Sequence, residues 1–174
     1  MKRLAAVILT ASMGLALAGC SGNPYKEGVS QLESKEYKQA EASFKEAVKH
    51  NKNTTNSYRG IGIACWEQKE YKAALKAFKN AVKAGTKENA TLYNLMGGCA
   101  LKLDDGKSAL SYYEKGLAAS GSSDELKKEM EYNVIVSYEK MQNWEKAKSK
   151  LNEYLEKYPD DETAKKEVEF LETR

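Results

Sequence analysis

The feature that most constrains this chain is a segment that recurs 34 residues further on. Residues 36–40 read EYKQA and residues 70–74 read EYKAA. The match continues at aromatic and small apolar positions, where Phe44, Ala47 and Val48 correspond to Phe78, Ala81 and Val82. A fixed period of this length predicts a repeat architecture, because each copy is a small unit that buries its apolar face only by stacking on its neighbours.

Two further copies follow with looser spacing. The third is marked by small and aromatic positions at Gly97, Ala109, Tyr113, Gly116 and Leu117. The fourth is marked in the same way by Trp144, Ala147, Leu151, Tyr154 and Leu155. The additional residues fall at 85–89 and 120–124, where Gly and Ser favour loops. Insertions confined to loops indicate that all four copies belong to one repeat.

The residue pattern of each copy predicts two amphipathic helices. Apolar residues recur at steps of three and four, as at Ala40, Phe44, Ala47 and Val48, and Lys and Glu occupy the other faces. Proline, which breaks helices, occurs only at Pro24 and Pro159. After Pro159, residues 163–171 have the pattern of one more helix.

These features resemble the tetratricopeptide repeat (TPR), a helix-turn-helix unit of 34 residues. Its consensus asks for a small residue in the first helix, here Gly28, Gly62 and Gly97, and for an aromatic at the start of the second, here Tyr37, Tyr71 and Trp144. The resemblance implies an all-α, right-handed α-α superhelix of four helical hairpins plus a C-terminal capping helix. The array would cover residues 24–161, with repeats at about 21–54, 55–89, 90–127 and 128–161, and the cap residues 162–174.

Glycine in these helices has a physical rationale. It costs about 1 kcal/mol relative to alanine inside a helix, so it is hard to justify unless a neighbouring helix packs against bare backbone. The fourth copy departs from the pattern, since Ile135 replaces the glycine and Tyr154 replaces a small residue. In the first copy, Glu27 and Gln31 stand where apolar residues are usual, which suits a terminal, half-exposed repeat.

The first residues resemble a bacterial lipoprotein leader. Lys2 and Arg3 precede an apolar run from Leu4 to Leu17, about 14 residues long and short of the roughly 20 that span a bilayer. The run ends in Leu-Ala-Gly-Cys at residues 17–20, which resembles a lipobox. The resemblance implies a signal peptide at 1–19, a diacylglyceryl lipid on Cys20 and a short tether at 20–23.

A two-chain lipid would hold the protein stably on a membrane. We therefore expect an extracytoplasmic location, on the cell membrane or, in a host with two membranes, on the outer one. The alternatives are an ordinary secretory signal and an uncleaved anchor. Lys2 and Arg3 account for two of the 28 basic side chains, so the remainder nearly balances the 25 acidic ones. Such a balance gives no electrostatic basis for nucleic-acid binding.

In TPR proteins the first helices of successive repeats line a concave groove that holds a peptide or partner helix. Transferring those positions predicts a partner-binding groove that contains Tyr25, Val29, Arg59, Ile63, Trp66, Asn94, Leu101, Tyr132 and Val136, with Leu32, Gly98 and Glu139 at further groove positions. Trp, Tyr and Arg are the residues that dominate measured interfaces. Trp66 has a second interpretation, in which it packs under the neighbouring repeat. The positions predict a mixed apolar and polar groove.

Catalysis has little support in the sequence. The single His50 falls in the last turn of a predicted helix, where the helix dipole favours a cation. Cys65 and Cys99 lack metal-ligand spacing, and they are interpreted as small core residues, with a disulfide as the alternative. We expect no enzyme, cofactor or metal. The expected function is a membrane-tethered protein-interaction or assembly adaptor; the alternative is a solute- or glycan-binding lipoprotein that uses the same groove.

Overall fold

The computed structural model describes residues 22–174, which form a continuous series of nine α-helices. The helices are α1 (Pro24–Glu33), α2 (Tyr37–Lys49), α3 (Thr54–Glu67), α4 (Tyr71–Lys83), α5 (Ala90–Lys102), α6 (Gly106–Ala118), α7 (Asp124–Lys140), α8 (Trp144–Lys157) and α9 (Glu162–Glu172). They pair in chain order into four hairpins followed by one helix, which confirms the predicted all-α repeat solenoid. The predicted leader and Cys20 lie outside the described residues.

Within residues 22–174, no helix has the length and apolar character needed to cross a membrane. The longest, α7, has 17 residues. It begins at Asp124, so its first turn lies inside the stretch 90–127 that the sequence assigns to the third repeat. Ser123 caps it, because the Ser123 hydroxyl accepts a hydrogen bond from the Leu126 N–H at 3.2 Å.

All four hairpins reverse direction through the same turn. The second residue after each first helix has a left-handed backbone; these residues are Lys35, Lys69, Asp104 and Gln142, with φ between 55° and 63°. The residue after it donates its N–H back five positions, as from Glu70 to the Cys65 carbonyl at 2.8 Å. This bond satisfies a carbonyl that the end of the helix would otherwise leave unpaired.

The core consists of three hydrophobic clusters that follow one another along the chain. The first cluster surrounds Phe44 and Phe78 and extends from α2 to α5, with residues of α1 packed against it. The second surrounds Tyr113 and Met130 between α5, α6 and α7. The third joins α7, α8 and α9, with Leu151 as one of its buried members.

Glycine permits close packing of the helix pairs, as the sequence predicted. A Cβ on Gly97 would come within 2.7 Å of the Tyr113 ring, far inside normal contact, and one on Gly62 would overlap the Phe78 ring. In the fourth hairpin the first helix carries a side chain larger than glycine and the second helix one smaller than an aromatic ring. Ile135 fills the space of the glycine, and Leu151, which is smaller than an aromatic residue, packs in the same cluster.

Cys65 and Cys99 are free thiols with no exposed surface, and both belong to the first cluster. Burial is the main cause that raises the pKa of Cys65 to about 11 and that of Cys99 to about 12. Neutral thiols of this kind behave as small apolar side chains. The structure therefore agrees with the interpretation of both cysteines as core residues.

Candidate partner-binding groove

A groove of about 630 Å³ runs between α3, α5 and α7, the first helices of the second, third and fourth hairpins. We call it the α3–α5–α7 groove. It brings together five residues from groove positions transferred from the TPR pattern: Trp66, Asn94, Gly98, Leu101 and Val136. They come from three separate helices that lie side by side only because the hairpins stack.

Trp66 lies at both of its predicted positions, the groove and the contact with the neighbouring repeat. Its indole lines the groove, and it also packs edge-on against the Tyr71 ring, with the ring centroids 5.2 Å apart. The indole extends over Gly98 of the next hairpin, where a Cβ would come within 3.0 Å of the Trp66 Cη2 atom. The side chain is half-buried. Trp66 is therefore part of the groove wall and also part of the contact between two repeats.

The polar groups of the groove lie mainly between α5 and α7. The Asn94 side-chain N–H donates to Glu129 at 2.9 Å, while the Asn94 side-chain oxygen is buried without a hydrogen-bond partner among the described residues. At one end Lys140 donates to Asp104 at 2.6 Å. Asn94 therefore places an amide group with one unsatisfied, buried acceptor in the groove wall. Together with Leu101 and Val136, these groups give the mixed surface that the sequence predicted.

The other predicted residues lie elsewhere, and Leu32 packs against the first cluster. Tyr25, Val29 and Ile63 pack against the first cluster, and the Tyr25 ring lies 5.9 Å from the Phe44 ring. Tyr25 and Val29 belong to the outermost hairpin, where cluster packing accounts for their apolar surface. Arg59 is half-buried and does not line the α3–α5–α7 groove.

Tyr132 lies in a second, smaller depression of about 340 Å³ that also involves α8 and the start of α9. Its hydroxyl donates to Glu167 of α9 at 3.4 Å, and its ring contacts the Tyr154 ring edge-on at 5.7 Å. Burial, followed by the charge of Glu167, raises the pKa of Tyr132 to about 12. Tyr132 thus helps to hold the C-terminal helix against α7.

Glu139, at a further predicted groove position, also contacts α9. Its carboxyl group hydrogen-bonds with that of Glu167. The Glu139 Oε1 atom is buried and has no other hydrogen-bond partner among residues 22–174. Burial and the charge of Glu167 raise the pKa of Glu139 to about 7. Two carboxylates in contact repel each other, so the pair is more stable when one carboxyl group is protonated and neutral.

Sequence reasoning missed three groove residues on α7. The TPR frame selected Tyr132, Val136 and Glu139, whereas the residues that line the groove are Glu129, Asn133, Val136 and Lys140. The observed set follows a helical step of four, three and four residues and is rotated by about one residue from the predicted set. The polar character of Glu129, Asn133 and Lys140, repeated at that step, is the signal that could have found them.

One cluster in the described chain has a composition suited to metal binding. Donor atoms of Glu41, Cys65 and Glu70 lie within 4.8 Å of one another. Protein groups already occupy Glu41, since Lys45 lies 2.5 Å from one carboxylate oxygen and the Gln68 side chain donates to the other at 3.1 Å. The raised pKa of Cys65 also keeps its thiol protonated at neutral pH. We interpret the cluster as a hydrogen-bonded ion-pair network.

The fold and the groove place this protein in a class, the helical-repeat solenoids. In these proteins the first helices of successive hairpins form a continuous surface. Family models of the tetratricopeptide repeat match residues 25–88, 70–124 and 131–161. The chain belongs to the tetratricopeptide repeat family, as the sequence resemblance predicted. TPR proteins act generally as protein-interaction adaptors, and their fold is typically a non-catalytic scaffold.

Solved structures share the fold at low sequence identity. MamA from Desulfovibrio magneticus is 20% identical, with a TM-score of 0.74, and the similarity covers 88% of this chain and 86% of that one. YrrB, described as a TPR protein with an unusual peptide-binding site, is 22% identical, with a TM-score of 0.69 and coverage of 81% and 70%. The TPR2AB domain of yeast Sti1, in a complex with pHSP90, is 16% identical, with a TM-score of 0.51 and coverage of 78% and 76%. Among curated proteins, none matches the chain significantly in sequence.

Proposed function

We propose that this protein is an extracytoplasmic, lipid-anchored adaptor on a bacterial membrane, and that it binds a segment of a partner protein in the α3–α5–α7 groove. The observation that carries the proposal is the groove itself. It combines an apolar wall at Trp66, Leu101 and Val136 with the polar side chains of Asn94, Glu129 and Asn133. A peptide offers both apolar side chains and backbone N–H groups, so it complements the two kinds of surface together.

The relatives support a peptide as the ligand class. YrrB is described as having a peptide-binding site, and the Sti1 domain is in a complex with pHSP90. The length of the groove also favours an extended or helical segment, because its lining residues come from three consecutive hairpins. A solute or glycan in the same groove remains the second candidate from the sequence.

The proposed membrane attachment rests on the leader pattern and on Cys20. Replacing Cys20 with Ser removes the sulfur that would carry the lipid. We expect the C20S variant to leave the membrane fraction, whereas a Cys99→Ser control stays attached. Continued tight attachment of the C20S variant would contradict the anchor and would favour an uncleaved leader.

Site-specific photo-crosslinking tests the groove. We expect a crosslinking amino acid at Leu101 to capture one discrete protein in the native membrane, while the same group at exposed Ser149 of α8 does not. A Val136→Glu substitution places an unpaired charge in the apolar wall and should abolish the crosslink at 101. Equal capture at both sites, or capture that survives Val136→Glu, would argue against groove binding. Thermal stabilisation by a sugar alone would favour the second candidate.

A further inference from the structure

A stripe of lysines runs along the outer face of α4. Lys72, Lys76, Lys79 and Lys83 are all exposed and are spaced by four, three and four residues. At 3.6 residues per turn they fall within an arc of about 60° over a length of roughly 16 Å. The buried residues of the same helix, Ala74, Ala77, Phe78 and Ala81, project from the opposite side. We call the four lysines the α4 lysine stripe.

The charge of the α4 lysine stripe is not neutralised within its own helix. The sequence of α4 contains no Asp or Glu, and none of its four lysines takes part in an ion pair in the part of the chain that the structure describes. Other second helices mix the two signs, as with Glu41 and Lys45 in α2 or Glu153 and Lys150 in α8. The flanking carboxylates are Glu70, which precedes the helix, Asp105, which lies within electrostatic reach of Lys79, and Glu41, which pairs with Lys45 and lines one depression with Lys76. A cationic patch therefore interrupts a nearly neutral surface.

An exposed leucine borders this patch. Leu103 is 41% exposed, and it lines the same shallow depression as Lys72, Lys76 and Tyr71. Only Leu103 and Phe170 are large hydrophobic residues with this degree of exposure within residues 22–174. Lysines beside an exposed apolar side chain are the combination that binds at the interface of a bilayer, where the charges meet anionic headgroups and the apolar group enters the acyl boundary.

We propose that the α4 lysine stripe and Leu103 form a docking surface for the anionic phospholipid headgroups of a membrane. The inference rests on the proposed anchor for bringing the array to the bilayer. Cys20 lies four residues before Pro24, so the tether spans at most about 14 Å. The stripe projects from the side of α4 opposite its buried face, while Leu103 is next to Asp104 at one end of the α3–α5–α7 groove.

The size of the effect follows from the number of lysines. Each lysine close to an anionic bilayer contributes a factor of about five to partitioning. Screening acts over roughly 8 Å at physiological ionic strength, so the contribution of an exposed stripe must fall steeply as salt is added. If the four contributions are independent, removal of all four charges should weaken docking on anionic vesicles by up to roughly several hundredfold at low salt.

Fluorescence quenching on vesicles tests the docking surface in the full, lipidated chain. A dye is attached to Leu103→Cys, and the quencher is carried on a lipid headgroup. Cys65 and Cys99 are fully buried and should resist labelling. The matched control carries the dye at Thr91→Cys, an exposed position on the groove helix α5. The vesicles contain phosphatidylcholine alone, or phosphatidylcholine in which about one lipid in three is phosphatidylglycerol.

We expect quenching at residue 103 on the anionic vesicles, loss of that quenching in high salt, and little quenching at residue 91. The quadruple variant K72Q/K76Q/K79Q/K83Q should stay attached through its lipid, retain its helical circular dichroism and lose the quenching at 103. Equal quenching on neutral vesicles, or no effect of the quadruple variant, would overturn the proposal. Absence of quenching at 103 would also overturn it and would point to an acidic protein as the partner of the stripe. Loss of the protein from neutral vesicles would contradict the lipid anchor but not the docking surface. Quenching on anionic vesicles would still test the α4 lysine stripe in that case.

Discussion

Glu139 shows how a single residue can link pH to the position of the C-terminal helix. It lies near the end of α7 and shares a hydrogen bond with Glu167 of α9. Burial, followed by the Glu167 charge, raises the pKa of Glu139 from 4.5 to about 7. The folded state therefore binds a proton near neutral pH that the unfolded chain has already released.

The direction of the resulting pH dependence is determined by this shift. The stabilising contribution of the neutral carboxyl group is complete below pH 4.5 and is lost as the pH rises through about 7. We expect Glu139→Gln, which keeps a neutral side chain, to raise the urea midpoint at pH 8 and to flatten its decline between pH 5 and 8 (roughly the window set by the two pKa values). Glu153→Gln is the control, because Lys150 lowers the pKa of that exposed carboxylate. A higher midpoint for both variants would contradict the assignment.

At the scale of the helix, the contact between an aromatic ring and bare backbone determines how closely each hairpin packs. The contact between Phe78 of α4 and Gly62 of α3 is the clearest case, because the ring occupies the space of a Cβ. An exposed helical Gly→Ala change normally stabilises a protein by up to about 1 kcal/mol. At Gly62 the added methyl group would overpack the contact with Phe78, so the same substitution should destabilise the protein.

We expect Gly62→Ala to lower the free energy of unfolding by about 1–3 kcal/mol, since the new methyl group forces the Phe78 ring and α4 to shift. Equilibrium urea unfolding measures the change. The double variant Gly62→Ala with Phe78→Leu makes room for the methyl group, so its loss should be smaller than the sum of the two single losses. A Gly62→Ala protein that is more stable than the parent would show that the ring can move aside freely.

The sequence predicted helices well and some of their details poorly. Repeated aromatic and small positions located the hairpins, because those residue types are required by the packing itself. The left-handed turn residue was not predictable, since Lys69 and Gln142 carry no signal for a conformation that usually selects glycine. The predicted groove face of α7 also differs by about one residue from the face that lines the groove. Loop insertions change the register of a repeat, and only the three-dimensional position of α7 shows that Asn133 lines the groove.

At the scale of the whole molecule, the three clusters are joined by two tyrosines. Tyr112 packs against the first and second clusters, and Tyr138 against the second and third. In a stacked array each repeat is stabilised by its neighbours, so these contacts set how cooperatively the array unfolds. The period of 34 residues was sufficient to predict this one-dimensional arrangement, whereas the identity of the joining residues required the structure.

We expect Tyr138→Ala to uncouple the C-terminal part from the rest. Loss of a large side chain shared by two clusters removes stabilisation from both, and α8 and α9 have no further hairpin in residues 22–174 to support them. Amide hydrogen exchange should then show reduced protection for α8 and α9, with protection of α2 to α4 retained. A matched Tyr58→Ala change, within the first cluster alone, should leave α8 and α9 protected. Uniform loss of protection across all helices would mean that the array unfolds as one unit.

The identical turn within each hairpin has a consequence for how such a chain can grow. Every hairpin contains the same turn, so variation in length is accommodated in the loops between hairpins. Gly85 and Gly121 lie in two of these loops, where the backbone has positive φ and a Cβ would meet no neighbouring atom. A duplicated unit spliced in at either glycine would meet neighbours of the same shape on both sides. The molecule can thus be lengthened in whole modules, and the surface available to a partner would grow by one more row of side chains with each addition.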